Sequence, residues 1–102
     1  MLQLRPICEN CAKDLPPDST EAMVCSYECT FCRSCNETIL HNVCPNCGGG
    51  LVSRPIRPKH NWKDNNCLRN DPPVAERKHR PIDLVAFTPL RDKLSSVPPE
   101  RR

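Results

Sequence analysis

Eight cysteines stand in the first half of the chain at spacings that suit metal ligation. Six of the nine lie within residues 25–47, CSYECTFCRSCNETILHNVCPNC, and Cys8 and Cys11 precede them. Their order is Cys8-x2-Cys11-x13-Cys25-x3-Cys29-x2-Cys32-x2-Cys35-x8-Cys44-x2-Cys47. Two residues between cysteines let both sulfurs face one metal from a tight turn whose backbone N–H groups reach the thiolates. Eight thiols are enough for two four-sulfur sites. The spacing therefore predicts two zinc ions held by Cys8, Cys11, Cys25, Cys29, Cys32, Cys35, Cys44 and Cys47. Tetrahedra filled by protein keep no open position for metal catalysis, and no Ser-His-Asp set or carboxylate pair is readable from the spacing. The expectation is a structural, non-enzymatic metal module.

The totals agree with a metal-built domain. The chain has 102 residues, 37% of them hydrophobic on a count that includes cysteine, with one Trp, one Tyr and two Phe. Apolar burial alone competes poorly with backbone entropy of roughly 1–2 kcal/mol per residue, so domains like this add disulfides or metals. No signal-peptide pattern or bilayer-length apolar run is present, which points to a reducing cytoplasm where thiols stay reduced. Nine is also an odd number for a closed disulfide set. An iron–sulfur reading draws on Cys29, Cys32 and Cys35, a C-x2-C-x2-C run, with Pro45 after Cys44. Eight residues rather than three then separate the fourth cysteine, and four other cysteines have no role.

The elements that must position the sulfurs are short. Residues 14–20, DLPPDST, form a loop broken by two prolines. Ala22, Met23 and Val24 predict a small strand, and Leu51 and Val52 a second one pairing near Val24. Tyr27 and Phe31 are expected to pack the metal shell. Residues 36–41, NETILH, predict a turn or two of helix capped by Asn36, with Ile39 and Leu40 inward. His41 is not needed as a ligand. Pro45 fixes the last turn, and Gly48 supplies a left-handed position after Cys47.

At all eight ligand positions the pattern resembles the RING finger, with Cys29 where most RING fingers have histidine. The resemblance implies a RING-like (treble-clef/zinc-knuckle) head with short strands and one short helix. It also implies interleaved sites: Cys8, Cys11, Cys32 and Cys35 on one zinc, Cys25, Cys29, Cys44 and Cys47 on the other. The alternative is sequential, with Cys8, Cys11, Cys25 and Cys29 followed by Cys32, Cys35, Cys44 and Cys47. A RING implies ubiquitin-ligase-like activity, but Glu9 and Asn10 stand where such ligases usually place an apolar residue. LRPICENC, DLPPDS, CSYECTFC, CPNCGG and LVSRPIRP resemble more closely a bacterial family of short cysteine-rich proteins, a domain of unknown function. That likeness covers residues 1–58.

The second half differs in composition. Residues 1–50 carry three Lys or Arg against six Asp or Glu, and residues 51–102 twelve against six. A change of sign marks a boundary near residue 58. The expected organisation is a two-zinc domain over residues 1–58, a basic polar linker over 59–81, loop or disordered, and a helical segment over 82–97. Arg54, Arg57, Lys59 and Lys63 with Trp62 predict an extended basic arm. Its functional reading is phosphate contact with base stacking, and the alternative is a linker with Trp62 packed on the head. Cys67 is expected as a free thiol. Thr88 is expected to cap and Pro89 to open a helix with Leu90, Leu94 and Val97 on one face. A protein partner is the leading expectation, nucleic acid the alternative, and a membrane none.

Overall fold

The computed structural model describes residues 1–102. A three-stranded antiparallel sheet organises the head, with β1 (Ala22–Val24) between β2 (Thr30–Cys32) and β3 (Val52–Ser53). Met23 pairs with Phe31 and Ser53, and Val24 with Thr30 and Val52. All three residues of β1 are buried, which is why this strand reads as an apolar run rather than an alternation. Both strands expected from the sequence are present, and buried Leu51 directly precedes β3.

After β2 the chain makes one turn of α-helix, α1 (Arg33–Cys35), that runs into a π-helical turn (Asn36–Leu40). The helix thus begins three residues before the position expected for it. Cys32 takes the capping place, its Sγ accepting the Cys35 N–H at 3.4 Å. Asn36 lies inside the helical stretch, and its Oδ1 accepts the Asn42 N–H at 3.2 Å instead. Leu40 is fully buried and Ile39 packs partly against the core, as the sequence indicates. His41 and Asn42, with φ of 50° and 62°, end the turn in the left-handed region.

The segment at 59–81 contains neither helix nor strand and is tied to the head by backbone bonds. Val74 N–H donates to Leu4 O at 3.1 Å, and Arg80 N–H to Glu9 O at 2.8 Å. Helix α2 (Leu84–Leu94) follows, and a 3-10 turn (Pro99–Arg101) ends the chain. Asp83, not Thr88, caps α2: its Oδ1 accepts the N–H groups of Val85 and Ala86. Pro89 lies inside the helix rather than opening it. The missing N–H leaves the Val85 carbonyl without its helical donor, which an exposed position such as Val85 tolerates because solvent can reach it. Packing overrides the local signal here. Phe87 belongs to the core cluster of the head, and Ile82 and Leu94 pack against it.

That core is built from few apolar residues. Six of its fourteen members are cysteines, so thiols occupy volume that aliphatic side chains fill elsewhere. The molecule measures 45 × 27 × 18 Å and exposes 6480 Å², somewhat more than the roughly 5,800 Å² expected for a compact chain of this mass. No helix is long and apolar enough to cross a membrane.

Candidate metal centres

The first cysteine pair sits on a turn closed by backbone bonds. Cys8 N–H donates to Lys13 O at 2.9 Å and Ala12 N–H to Cys8 O at 2.9 Å, with Ala12 left-handed at φ 62°. The second pair comes from the end of β2 and the start of the helix. Together they bring Cys8, Cys11, Cys32 and Cys35 into one group whose sulfurs all lie within 4.8 Å of one another. Cys11 Sγ and Cys32 Sγ are 3.8 Å apart. A disulfide needs about 2.05 Å, whereas the edge of a tetrahedron with metal–sulfur bonds of about 2.3 Å is about 3.8 Å. All nine cysteines are free. The donor set therefore fits one tetrahedral soft metal, a coordination that suits zinc or iron.

The second group is Cys25, Cys44 and Cys47, with sulfurs again within 4.8 Å. Its loops are built alike. Tyr27 N–H donates to Cys25 Sγ and Gly49 N–H to Cys47 Sγ, both at 3.4 Å. Gly48, at φ 76°, donates its N–H to Cys44 O at 2.8 Å, a left-handed turn that a Cβ would strain. Cys29, expected as the fourth ligand, is buried in the same core cluster as Cys44, but its sulfur stands outside the three-sulfur group. Cys8 and Cys11 thus share a group with Cys32 and Cys35, while Cys25 joins Cys44 and Cys47. The sequential grouping does not appear, nor does the C-x2-C-x2-C run converge, since Cys29 is apart from Cys32 and Cys35.

Burial pushes the Cys35 and Cys44 thiols well up from the ordinary thiol range, and Cys8 more modestly. N–H donors oppose it: Asn10 Nδ2 bonds Cys35 Sγ at 3.4 Å, and the backbone of Asn46 and Cys47 faces Cys44. At Cys11 burial also pushes up, but the Lys13 N–H and neighbouring sulfurs outweigh it and the thiol falls below its ordinary value. Such buried thiols stay neutral without a cation, and a divalent metal inverts that preference.

Several side chains are placed otherwise than the sequence indicates. Phe31 is fully buried, but Tyr27 is 73% exposed at the tip of the β1–β2 turn. Trp62 is 81% exposed and stands edge-on to His60, so it does not pack on the head. His41 is exposed and joins neither sulfur group. Cys67 is a free thiol, as expected, but a buried one. The arm's arginines are occupied internally. Arg54 is buried and donates to the carbonyls of Arg5, Leu15 and Pro16, its guanidinium pushed down by burial. Arg57 binds the carbonyls of Asp71 and Leu2, both at 2.7 Å. Glu9, noted in the sequence only as a polar residue between Cys8 and Cys11, is buried. No local signal marks it, since an exposed glutamate in a turn reads the same way.

The chain belongs to the family described as "Protein of unknown function (DUF1272)", whose profile matches residues 1–57. It is 66% identical over 58 residues to "Uncharacterized protein R02474" of Rhizobium meliloti (strain 1021), covering 57% of this chain and 69% of that one. No solved structure matches the chain. The matched residues contain both sulfur groups, and α2 lies outside them.

Proposed function

We propose that this protein is a non-enzymatic module whose two metal centres hold structural zinc and whose surface binds another protein. The observation that carries the metal part is the convergence of Cys8, Cys11, Cys32 and Cys35 within 4.8 Å. Cys29 is the natural fourth ligand of the second site, since it is buried in the same core cluster as Cys25 and Cys44. Zinc would draw the four thiolates together and so supply folding energy that the thin apolar core lacks. A RING-like fold is part of the same reading, supported by the alternation of the two sulfur groups along the chain.

Tyr27 supports a protein partner. It stands 73% exposed on a turn pinned at both ends by Cys25 and Cys29, and a rigid exposed aromatic is a typical interface anchor. The test has two parts. Elemental analysis of the purified chain should find about two zinc per molecule, and chelation in reductant should unfold the head. Retention of the same compact shape without metal would overturn the structural role. For the surface, Tyr27→Ala should weaken capture of a specific protein at unchanged zinc content.

Trp62 favours a second reading, single-stranded nucleic acid held by stacking and by Lys59 and Lys63, which form no ion pair. Trp62→Ala with Lys59→Gln and Lys63→Gln should then remove a steeply salt-dependent affinity. Ubiquitin-ligase-like activity has least support, because polar Glu9 and Asn10 stand between Cys8 and Cys11, and helix α2 packs alongside, lining a cleft with Glu9 and Asn46.

A further inference from the structure

Between the first knuckle and the tail lies a cavity of about 280 Å³. Its polar wall is Glu9, Asn46, Arg80 and Asp83, and Phe87 and Leu90 of α2 supply much of the apolar wall. Glu9 is 3% exposed, and its carboxylate is only half satisfied. Oε1 accepts from Asn46 Nδ2 at 3.0 Å, while Oε2 is buried with no partner. No cation pairs with Glu9, and Arg80 makes no ion pair of its own. An orphaned buried carboxylate oxygen is costly, so it marks a place where a donor belongs. Two carboxylates against one guanidinium leave the cleft with a negative charge in excess.

We propose that this cleft binds a primary ammonium group carried on a short apolar stem. The ammonium donates to Glu9 Oε2 and faces Asp83, whose Oδ1 is taken up by the helix cap. The stem lies along Phe87 and Leu90. The volume suits a ligand of amino-acid size, below the range of drug-sized pockets. The same chemistry has two sources, a free amino acid or a lysine side chain of a peptide. Arg80 separates them, because only the former brings a carboxylate for its guanidinium. The site joins residues 9 and 46 of the head to residues 80–90, so it exists only in the full chain. It does not depend on the choice of zinc as the bound metal.

The test is titration of the full-length, metal-loaded chain, labelled with ¹⁵N, with phenethylamine and with uncharged 2-phenylethanol. The amine should give saturable shifts at Glu9, Asn46, Phe87 and Leu90, and the alcohol none. Glu9→Gln keeps the shape and the Asn46 bond, and should weaken the amine about tenfold or more, the usual worth of a hydrogen bond to a charged group. Asp83→Asn preserves the helix cap and should weaken it severalfold. Tighter binding of phenylalanine than of phenethylamine, lost in Arg80→Ala, identifies the free amino acid as the source. Weaker binding of phenylalanine, with saturable shifts from Nα-acetyl-lysine amide, identifies the side chain. Absence of saturable shifts, equal binding of the alcohol, or indifference to Glu9→Gln would overturn the proposal and leave bound water as the carboxylate's partner.

Discussion

Phe87 is the residue on which the docking of the tail is most open to challenge. It is 5% exposed and is the only residue of α2 in the buried core of the head. Phe87→Ala removes an aromatic ring whose full burial is worth about 1.5–3 kcal/mol, and truncation at a packed site adds a cavity term, giving about 3–5 kcal/mol. The site lies between helix and head and can partly close, so the expected loss is about 3 kcal/mol. A chain of this length has a total stability of about 5–15 kcal/mol, so the head survives while the helix becomes loose. The assay is limited proteolysis of residues 82–97 in the metal-loaded protein, read alongside zinc content. Cleavage governed by local opening should speed up by about a hundredfold, since 1.4 kcal/mol is a factor of ten. An unchanged cleavage rate at full metal content would show that α2 does not dock through Phe87. Loss of both metals would show that helix and metal sites form one cooperative unit.

The other predictions concern the sulfurs and their turns. Cys35→Ser should abolish binding at the first centre, leaving about one zinc per chain by elemental analysis, because a hydroxyl is a poor substitute for a buried thiolate. Cys29→Ser should weaken the second centre in a chelator competition, whereas Cys67→Ser should leave both intact; equal behaviour of the two variants would remove Cys29 from the ligand set. Gly48→Ala forces a side chain into φ 76° with its Cβ 3.2 Å from Leu94 Cδ1, and should cost about 1–2 kcal/mol in urea unfolding of the loaded protein. Zinc should be lost as the pH falls, since thiolates and not thiols bind it and burial already favours the neutral form of Cys35 and Cys44. The sign follows from proton uptake by the metal-free state, so affinity measured by competition must rise with pH through the neutral range.

Much of the head was legible because its information is local. A C-x2-C pair defines its own turn, and Gly48 announces the left-handed residue that the last knuckle uses. The apolar run at Ala22, Met23 and Val24 is short, and its length favours a buried strand over a helix. Which pairs share a group is a different kind of fact. It depends on β2 returning alongside β1, which carries Cys32 toward Cys8 and leaves Cys25 at the far end with Cys44. Tyr27 and Phe31 show the limit sharply, since both are aromatics between ligands. Strand register turns Phe31 inward opposite Met23, while Tyr27 sits on the turn, where no periodicity applies. Thr88 and Pro89 misled for a related reason. They form a good local helix start, yet Asp83 caps one turn earlier, where docking of Phe87 rewards a longer helix.

The basic tail carries the less visible half of the design. Its positive charge, read as a surface for phosphate, is partly spent on the head's own carbonyls. Arg54 reaches three of them, and Arg57 bridges one, Leu2 O, to Asp71 O of the tail. Arg91 bonds Ile39 O at 3.3 Å, and Arg102 bonds Asn42 O at 2.8 Å and Gly48 O at 3.2 Å. A fold made of tight turns leaves many carbonyls without strand or helix partners, and a guanidinium can satisfy several at once from outside the chain's own turns. Asn10 joins the two halves more directly. Its Nδ2 bonds Cys35 Sγ, while its Oδ1 accepts the Ile82 N–H and its carbonyl meets His79. Tail and first metal centre therefore share one hydrogen-bonded residue.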